Sequence, residues 1–178
     1  DGLLPNGAAR LLVLVTPEPH PPAEWFTEGV RLATHQAERY LPEAKTINYI
    51  PAILALRRAK ASGAVDSIYV DRDGHALEGT TTNLFAFCGD TLVTPGRGVL
   101  GGVTRQVTLE LAAGRWPVEL RDLPLDELLR ADEVFITSST KQVCPVRQID
   151  DHVLGRPGPR TRDLMAAFDA LVAEAARA

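Results

Sequence analysis

Four segments of the sequence combine residue types that can carry out chemistry. Lys45 precedes an apolar, helix-like stretch, and Glu78 stands alone between two strand-like segments. A glycine-rich turn ends at Gly102, directly before Val103-Thr104-Arg105, and a hydroxyl cluster occupies residues 137–140. An amine, a carboxylate and turns with free N–H and O–H groups are what pyridoxal phosphate needs for its aldehyde, its pyridine nitrogen and its phosphate. The combination therefore predicts a site for that cofactor.

The elements that must position these residues are a mixture of strands and helices. Apolar runs and alternating patterns predict strands at 11–15, 30–36, 67–70, 76–78, 84–87, 91–93, 117–120 and 133–137. Helical patterns are present at 22–28, 48–62, 104–113, 125–130 and 161–176. Because strands and helices do not alternate strictly, an α+β fold with a mixed, barrel-like sheet is favoured over a doubly wound sheet.

The second of these helices has the clearest pattern. Ile50, Ile53, Leu54 and Leu56 form an apolar stripe at helical spacing, and Gly63 is suited to the position after the helix end. We therefore expect the stripe to pack against the rest of the fold.

Composition limits the class of protein. The 178 residues fit one ordinary domain, and 45% hydrophobic with 24% charged residues is typical of a globular chain. A formal net charge of -4 with no basic block argues against nucleic-acid binding. No apolar run approaches the ~20 residues of a membrane span, and the first residues given do not form the charged-then-apolar pattern of a signal peptide. Cys88 and Cys144 are expected to be buried, reduced thiols, which makes the cytoplasm the expected compartment.

The order and types of these residues resemble the fold-type IV, class IV aminotransferase family over nearly the whole chain. Two strings carry the resemblance, Lys45-Thr-Ile-Asn-Tyr49 and Glu78-Gly-Thr-Thr-Thr-Asn83-Leu-Phe. The resemblance implies an α+β fold with a mixed, barrel-like sheet flanked by helices, and pyridoxal 5'-phosphate as cofactor. It also implies amino-acid and 2-oxo-acid substrates and a homodimer, with no nucleic-acid or membrane partner.

The resemblance also bears on domain organisation. A smaller N-terminal domain comes first in the family and supplies a phosphate-binding arginine and half of the pocket. We therefore expect residues 1–9 to be the remnant of an interdomain loop and residues 10–178 to be the large C-terminal domain. Residues 10–15 would form the strand that leaves the small domain, which is absent from this chain.

Lys45 and Glu78 have the two central roles that the resemblance implies. Lys45 is the expected Schiff-base lysine, and Ile47, Tyr49 and Ile50 are expected to surround its amine and lower its pKa by desolvation. Glu78 would pair with the pyridine nitrogen, whose protonated form withdraws electrons from the reacting carbon.

The remaining cofactor contacts also come from the resemblance. Leu100 would pack on the pyridine ring, while the Val103 N–H and Thr104 bind the phosphate. The turn of Ser139 and Thr140 would give a hydroxyl to the phosphate and backbone N–H groups to the substrate carboxylate. Tyr49 matches a ring near the cofactor, and Arg39 matches an arginine shortly before the lysine.

Other chemistries fit the sequence less well. Residues 96–101 match the dinucleotide pattern G-x-G-x-x-G, but the preceding strand is better explained as an arm of a hairpin than as the first strand of a βαβ unit. Residues 71–74 hint at a calcium loop, yet Thr82 stands where the closing glutamate belongs. The four histidines have no ligand-like spacing, so no metal site is expected.

Three activities share the resembled fold: transamination of branched-chain L-amino acids, transamination of D-amino acids, and aminodeoxychorismate lysis. The hydroxyl turn argues against the lyases, and the short Lys-Thr-Ile-Asn-Tyr and Thr-Thr-Asn strings are closer to the D-amino-acid group, with D-alanine as a typical substrate. A folded domain that contacts the cofactor without turnover is the competing hypothesis from another class.

Overall fold

Ten strands form a single mixed sheet in the computed structural model, which describes Gly7, residues 11–17 and residues 20–177. The strands are β1 (Val30–Gln36), β2 (Asp66–Val70), β3 (His75–Gly79), β4 (Asn83–Cys88), β5 (Thr91–Pro95), β6 (Val118–Arg121), β7 (Leu123–Pro124), β8 (Glu133–Ser138), β9 (Gln142–Ile149) and β10 (His152–Val153). The predicted strands between residues 30 and 137 are all present.

Five helices flank the sheet in the same part of the chain. They are α1 (Glu24–Thr27), α2 (Ile50–Ala61), α3 (Val103–Ala112), α4 (Leu125–Leu129) and α5 (Pro159–Ala175). All five fall within about two residues of their predicted positions. Among the described residues, no helix combines the length and the apolar character that crossing a bilayer requires.

The sheet curls into a nearly closed barrel. Its strand order is β6-β5-β4-β8-β9-β1-β2-β3-β7, with β10 paired to β9. Strands β6 and β7 therefore lie at opposite edges of the sheet, yet only Asp122 separates them in the chain. The two edges must meet, which confirms the predicted barrel-like sheet and the α+β class.

The ladders combine parallel and antiparallel pairs. Strand β1 lies parallel to both β2 and β9, whereas β2–β3, β4–β5, β4–β8 and β8–β9 are antiparallel. Asn83 of β4 is paired with Thr137 of β8. The turns that follow β3 and β8 therefore lie at the same end of the sheet.

Aromatic side chains fill the layer between the sheet and helices α3 and α5. Phe85 and Phe135 stack with their ring centroids 4.9 Å apart, and Phe87 meets Trp116 edge-on. Leu164 of α5 is fully buried against this cluster. A separate aliphatic cluster that includes Leu32, Ile68 and Ile136 fills the other side of the sheet. Both faces of the central strands are thus buried.

The predicted strand at residues 11–15 is wrong. The described residues 11–17 have no regular structure, and the five apolar side chains from Leu11 to Val15 are 70–92% exposed. No described strand pairs with this segment, and a strand needs a neighbour to satisfy its backbone groups. Arg10, like the predicted loop of residues 1–9 apart from Gly7, lies outside the described residues.

The expected buried stripe of α2 is also wrong. Ile50, Ile53 and Leu54 are 52–70% exposed, while Ala52, Ala55 and Ala59 are buried. The small alanine side chains let the helix backbone approach β1 and β2 closely, so the large side chains point away from the sheet. Gly63 follows the helix with φ +77°, as its predicted role after the helix end requires.

Strand β9, the longest in the sheet, has no counterpart among the predicted strands. It contains Pro145, which lacks a backbone donor and argues against a central strand. The structure accommodates this proline because the parallel ladder with β1 begins one residue later, at Val30 paired with Val146.

Both cysteines are free thiols, as expected: Cys144 is buried and Cys88 is half-buried. Burial is the main cause that raises the pKa of Cys88 to about 11 and that of Cys144 to about 12. Both thiols therefore stay protonated at neutral pH and are poor nucleophiles.

The packing of α2 gives a direct test. Ala55→Leu should lower the free energy of unfolding by about 1–3 kcal/mol, because the added methylenes have no space against β2. Ile53→Ala, on the exposed face, should cost about 0.5 kcal/mol or less. Urea unfolding of both variants measures the difference. A larger loss for Ile53→Ala would mean that the large side chains form the packed face.

Candidate functional site

Glu78 lies at the centre of the predicted site, near the end of β3 and only 2% exposed. Its Oε2 accepts hydrogen bonds from the Leu100 backbone N–H (2.9 Å) and from Asn83 Nδ2 (3.2 Å). Its Oε1 pairs with Arg39 Nη1 at 3.3 Å. Arg39, predicted near the lysine, thus directly contacts the predicted pyridine-binding carboxylate.

Burial dominates the electrostatics of this carboxylate. Desolvation raises the pKa of Glu78, and the Leu100 N–H, Arg39 and Arg105 oppose that rise. A carboxyl group in this position has a stronger affinity for a proton or a cationic donor than an exposed glutamate has. Oε1 has one protein donor, so a lone pair remains for a further N–H.

Asn83 was not assigned a role from the sequence, although it stands in the string that carried the prediction. It is 6% exposed, and its amide donates both to Glu78 Oε2 and to the Leu100 carbonyl at 2.8 Å. A Cβ at Gly102 would lie 2.3 Å from Asn83 Oδ1, so that approach requires glycine. The asparagine therefore joins the glutamate to the glycine-rich turn (residues 96–102).

Arg105 was also overlooked by the sequence reasoning. It is 9% exposed and donates from Nη2 to the Pro95 carbonyl at 3.0 Å. Burial lowers its pKa, while the charge of Glu78 acts in the opposite direction. A buried guanidinium behind the glycine-rich turn adds positive potential, and no short-range sequence pattern signals it.

Helix α3 begins directly after the glycine-rich turn with unsatisfied donors. Its first residue is Val103, its N-cap is Gly102, and no side chain caps it. The early N–H groups of a helix lack intrahelical partners and lie at its positive end. Thr104, 7% exposed, belongs to this first turn. The arrangement suits an anion such as phosphate.

A buried hydroxyl at the end of β8 faces the same region. Thr137 is 1% exposed, and its Oγ1 has no hydrogen-bond partner among the described residues. A buried hydroxyl without a partner is costly, and a bound ligand or water removes that cost. This orphaned atom supports a ligand beside α3.

Two adjoining cavities collect the site residues. Their volumes are about 360 Å³ and about 50 Å³, and Lys45, Thr81, Asn83 and Leu100 line both. The larger cavity is also lined by Glu43, by residues 101–104 and by residues 137–139. The smaller cavity is also lined by Arg39, Tyr49 and residues 78–80, with Thr82.

Eight of the nine predicted site residues thus line these cavities. Thr140 does not: it is exposed, and its Oγ1 lies 3.5 Å from Ser138 Oγ. Ser138 instead lines the larger cavity, beside Ser139.

The expected apolar surroundings of Lys45 are wrong. Ile47 is 93% exposed and Ile50 is 70% exposed, and Lys45 itself is exposed. These isoleucines therefore do not enclose the amine, because the segment between β1 and α2 runs along the surface of the described chain. Lys45 belongs to the site because it lines both cavities. The two isoleucines do not shield its amine from water.

The prediction that the strand before the glycine-rich turn is a hairpin arm and not the first strand of a βαβ unit is wrong in its second part. Strand β5 is an arm of a hairpin with β4, but β5 and β6 are also parallel and joined by α3, so they form a βαβ crossover. The glycine-rich turn is nevertheless held by Glu78 and Asn83 through the backbone of Leu100. The turn supplies one phosphate-sized anion site at the start of α3.

Asp71, Asp73 and His75 come together in the turn between β2 and β3. Asp71 Oδ1 accepts from the backbone N–H groups of Asp73 (3.0 Å) and His75 (2.8 Å), and its Oδ2 lies 3.2 Å from His75 Nδ1. The cluster is accounted for by these turn hydrogen bonds.

The site fits pyridoxal phosphate in its donor set. Lys45 offers an amine, Glu78 a buried acceptor, and the N-terminus of α3 with Thr137 and Ser139 offers donors for an anion. All of these groups border the same pair of cavities.

Known proteins resemble this chain over most of its length. The family model of class IV aminotransferases matches residues 2–149. A branched-chain-amino-acid aminotransferase of Pseudomonas aeruginosa is 34% identical over 160 residues, which cover 84% of this chain and 52% of that protein. A D-alanine aminotransferase of Bacillus licheniformis is 31% identical over 183 residues, 99% of this chain and 62% of that protein.

Solved structures match the fold as well. The branched-chain amino acid aminotransferase of Escherichia coli aligns with a TM-score of 0.76 at 29% identity, over 84% of this chain and 53% of that chain. Another branched-chain amino acid aminotransferase, solved with pyridoxamine 5'-phosphate, aligns with a TM-score of 0.78 at 29% identity. The present chain thus spans roughly half to three fifths of the length of these relatives. On the strength of the family match, the chain belongs to the class IV aminotransferase family.

Proposed function

We propose that the protein containing this chain transfers amino groups between an amino acid and a 2-oxo acid, with pyridoxal phosphate attached to Lys45. The observation that carries the proposal is the convergence of Lys45, Glu78 and the start of α3 on two adjoining cavities. Membership of the class IV aminotransferase family supports the same reaction.

Lys45 and Glu78 have complementary tasks in this proposal. Bound pyridoxal phosphate supplies an electron sink for the amino acid. The Lys45 amine would hold the cofactor, and once the substrate amine has replaced it there, the freed amine would move a proton at the substrate carbon. Glu78 would accept a hydrogen bond from the pyridine nitrogen and keep it protonated, while Arg39 holds the carboxylate in place.

The other end of the cavity binds the anionic groups. The Val103 N–H and Thr104 take the phosphate together with a hydroxyl of Ser139, and the buried Thr137 Oγ1 is a further donor. Leu100 and Tyr49 both line the smaller cavity, where Leu100 would pack on the ring and Tyr49 would border it. Thr140 does not line the cavities, so a role for its backbone N–H at the substrate carboxylate stays a prediction from the family resemblance.

The competing function is a folded cofactor-binding domain without turnover. The chain spans 52% of the length of the Pseudomonas aeruginosa enzyme and 62% of the length of the Bacillus licheniformis enzyme. The complete pocket and the proposed homodimer therefore depend on more than these residues. The cytoplasm remains the expected compartment on the basis of the two free thiols. A mass measurement of the dissolved protein together with a transamination assay separates the two functions.

Covalent trapping tests the lysine. The sequence contains three lysines, Lys45, Lys60 and Lys141. Borohydride reduction of the cofactor-loaded protein followed by peptide mapping should put the adduct on Lys45. Lys45→Arg should abolish the adduct, while Lys60→Arg, on the exposed side of α2, should retain it. An adduct on Lys60 or Lys141 would contradict the proposal.

Glu78→Gln tests the pyridine partner. The neutral amide cannot hold the pyridinium proton, so the transamination rate should fall on the order of 10²–10³-fold while the cofactor still binds. Glu110→Gln, an exposed change on α3, is the matched control and should keep the rate. Equal rates in both variants would leave Glu78 without a catalytic role.

The same substitution has an expected effect on stability. Burial raises the pKa of Glu78, so ionisation above the ordinary glutamate pKa costs the folded state free energy. Glu78→Gln removes that cost, and the cofactor-free variant should melt no lower than wild type at neutral pH. A lower melting temperature would mean that the contact with Arg39 outweighs the burial.

Substrate handedness separates two forms of the proposed activity. The short strings around Lys45 and Glu78 favour D-alanine or D-glutamate, whereas the match to branched-chain enzymes favours L-leucine as the second candidate. Because Lys45 works from one side, handedness depends on which side of the pocket takes the substrate carboxylate. With 2-oxoglutarate or pyruvate as acceptor, kcat/KM should be higher for D-alanine than for L-leucine. A clear excess for L-leucine makes the branched-chain form correct.

A further inference from the structure

A buried carboxylate behind Glu78 has no role in the chemistry described so far. Asp66, the first residue of β2, is 1% exposed. Its Oδ1 accepts hydrogen bonds from the Ser67 N–H (2.8 Å), the Thr80 N–H (3.2 Å) and Thr80 Oγ1 (2.5 Å). Its Oδ2 accepts from Thr82 Oγ1 at 3.0 Å.

Neutral donors alone satisfy this carboxylate within the described chain. No arginine, lysine or histidine of the described residues forms an ion pair with Asp66. A buried charge without a counter-ion is expensive and persists only where several donors hold it. Three of the four donors belong to the threonine turn, residues 80–82, so the carboxylate mainly holds that turn.

The threonine turn connects the site residues of two strands. It follows Glu78 and Gly79 and precedes Asn83, whose side-chain amide donates to Glu78 Oε2. The Gly79 N–H donates to the Thr82 carbonyl at 2.7 Å, which closes the turn. Thr81, between the two threonines that Asp66 holds, lines both cavities.

The packing around Gly79 shows how tightly the arrangement is specified. A Cβ there would lie 2.1 Å from Thr82 Oγ1 and 2.9 Å from Asp66 Oδ2. The carboxylate and the threonine hydroxyl therefore occupy the space beside the backbone that follows Glu78.

We infer that Asp66 is a positioning residue for the cofactor site: by holding the threonine turn it fixes Glu78, Thr81 and Asn83 relative to the two cavities. The inference rests on the proposed cofactor function. Asp66 itself lines neither cavity, so it acts through the turn and makes no contact with the cofactor or the substrate.

A second buried carboxylate provides the matched control. Glu133 is 7% exposed and accepts from the backbone N–H groups of Thr161 (2.7 Å) and Arg160 (3.2 Å) at the start of α5. Unlike Asp66, it also forms an ion pair, with Arg160 Nε at 3.2 Å. It lines neither cavity of the site. Asp66→Asn and Glu133→Gln thus make the same chemical change in two buried, hydrogen-bonded carboxylates, of which one holds the site turn.

The test compares the two variants in the full-length protein. The measurements are the melting temperature without cofactor, hydrogen exchange of the 80–82 amides without cofactor, the Kd for pyridoxal phosphate, and the visible spectrum of the bound cofactor against pH. For Asp66→Asn we expect faster exchange in the turn, a Kd raised about 10-fold or more, and a shifted pH midpoint of the spectrum. For Glu133→Gln we expect a lower melting temperature with the Kd, spectrum and turn exchange of wild type.

If Asp66→Asn does not fold, a milder pair keeps the test decisive. Thr82→Val removes one donor to Asp66 Oδ2 and should shift the Kd and spectrum in the same direction, while Thr82→Ser should restore both towards wild type. The inference is overturned if Asp66→Asn or Thr82→Val changes only the melting temperature, as Glu133→Gln does.

The proposed function fails separately from this inference. If wild-type protein binds no pyridoxal phosphate or forms no adduct on Lys45, the function is wrong, whatever the variants do. If wild type binds the cofactor and the Asp66 variants match it in Kd, spectrum and turn exchange, only the inference about Asp66 is wrong.

Discussion

The buried carboxylate of Glu78 is the constraint on which the site depends. Its two oxygens are held by a side chain from the segment after β1, an amide from the start of β4 and a backbone N–H from the glycine-rich turn. A carboxylate removed from water requires such donors. Three separate segments of the chain must therefore converge on Glu78, and their convergence forms part of the boundary of the two cavities.

The curled sheet makes this convergence possible. Asn83 and Thr137 are neighbours in the β4–β8 ladder, so the threonine turn and the hydroxyl turn emerge at one end of the sheet. Lys141 Nζ lies 3.5 Å from Thr81 Oγ1 and spans the two turns. The start of α3 completes the rim, because β5 ends beside β4 and the glycine-rich turn follows it.

Local patterns in the sequence were sufficient for much of this arrangement and insufficient for the rest. The hairpins, α3 and the strings around Lys45 and Glu78 could be predicted because each depends on neighbours within a few residues. The buried face of α2 could not be predicted in this way. Helical periodicity pointed to the face with large apolar side chains, whereas the face that packs closely against the sheet consists of alanines. Asn83, Arg105 and Asp66 were overlooked because each also bonds a residue of another element, Leu100, Pro95 and Thr80 respectively, which no local pattern indicates. Strand β9 was overlooked because a proline such as Pro145 usually interrupts a strand.

The position of β1 between β9 and β2 has a consequence for how the protein acquires its site. Strand β1 carries the chain towards Arg39 and Lys45, and it is flanked on one side by a strand from near the opposite end of the described chain. Pairing of such distant segments pays a large loop-closure entropy and is a slow event in folding. The lysine therefore meets the glutamate and the anion site only after nearly the whole domain has been synthesised and its sheet assembled, so a partly folded chain cannot capture the cofactor at this site.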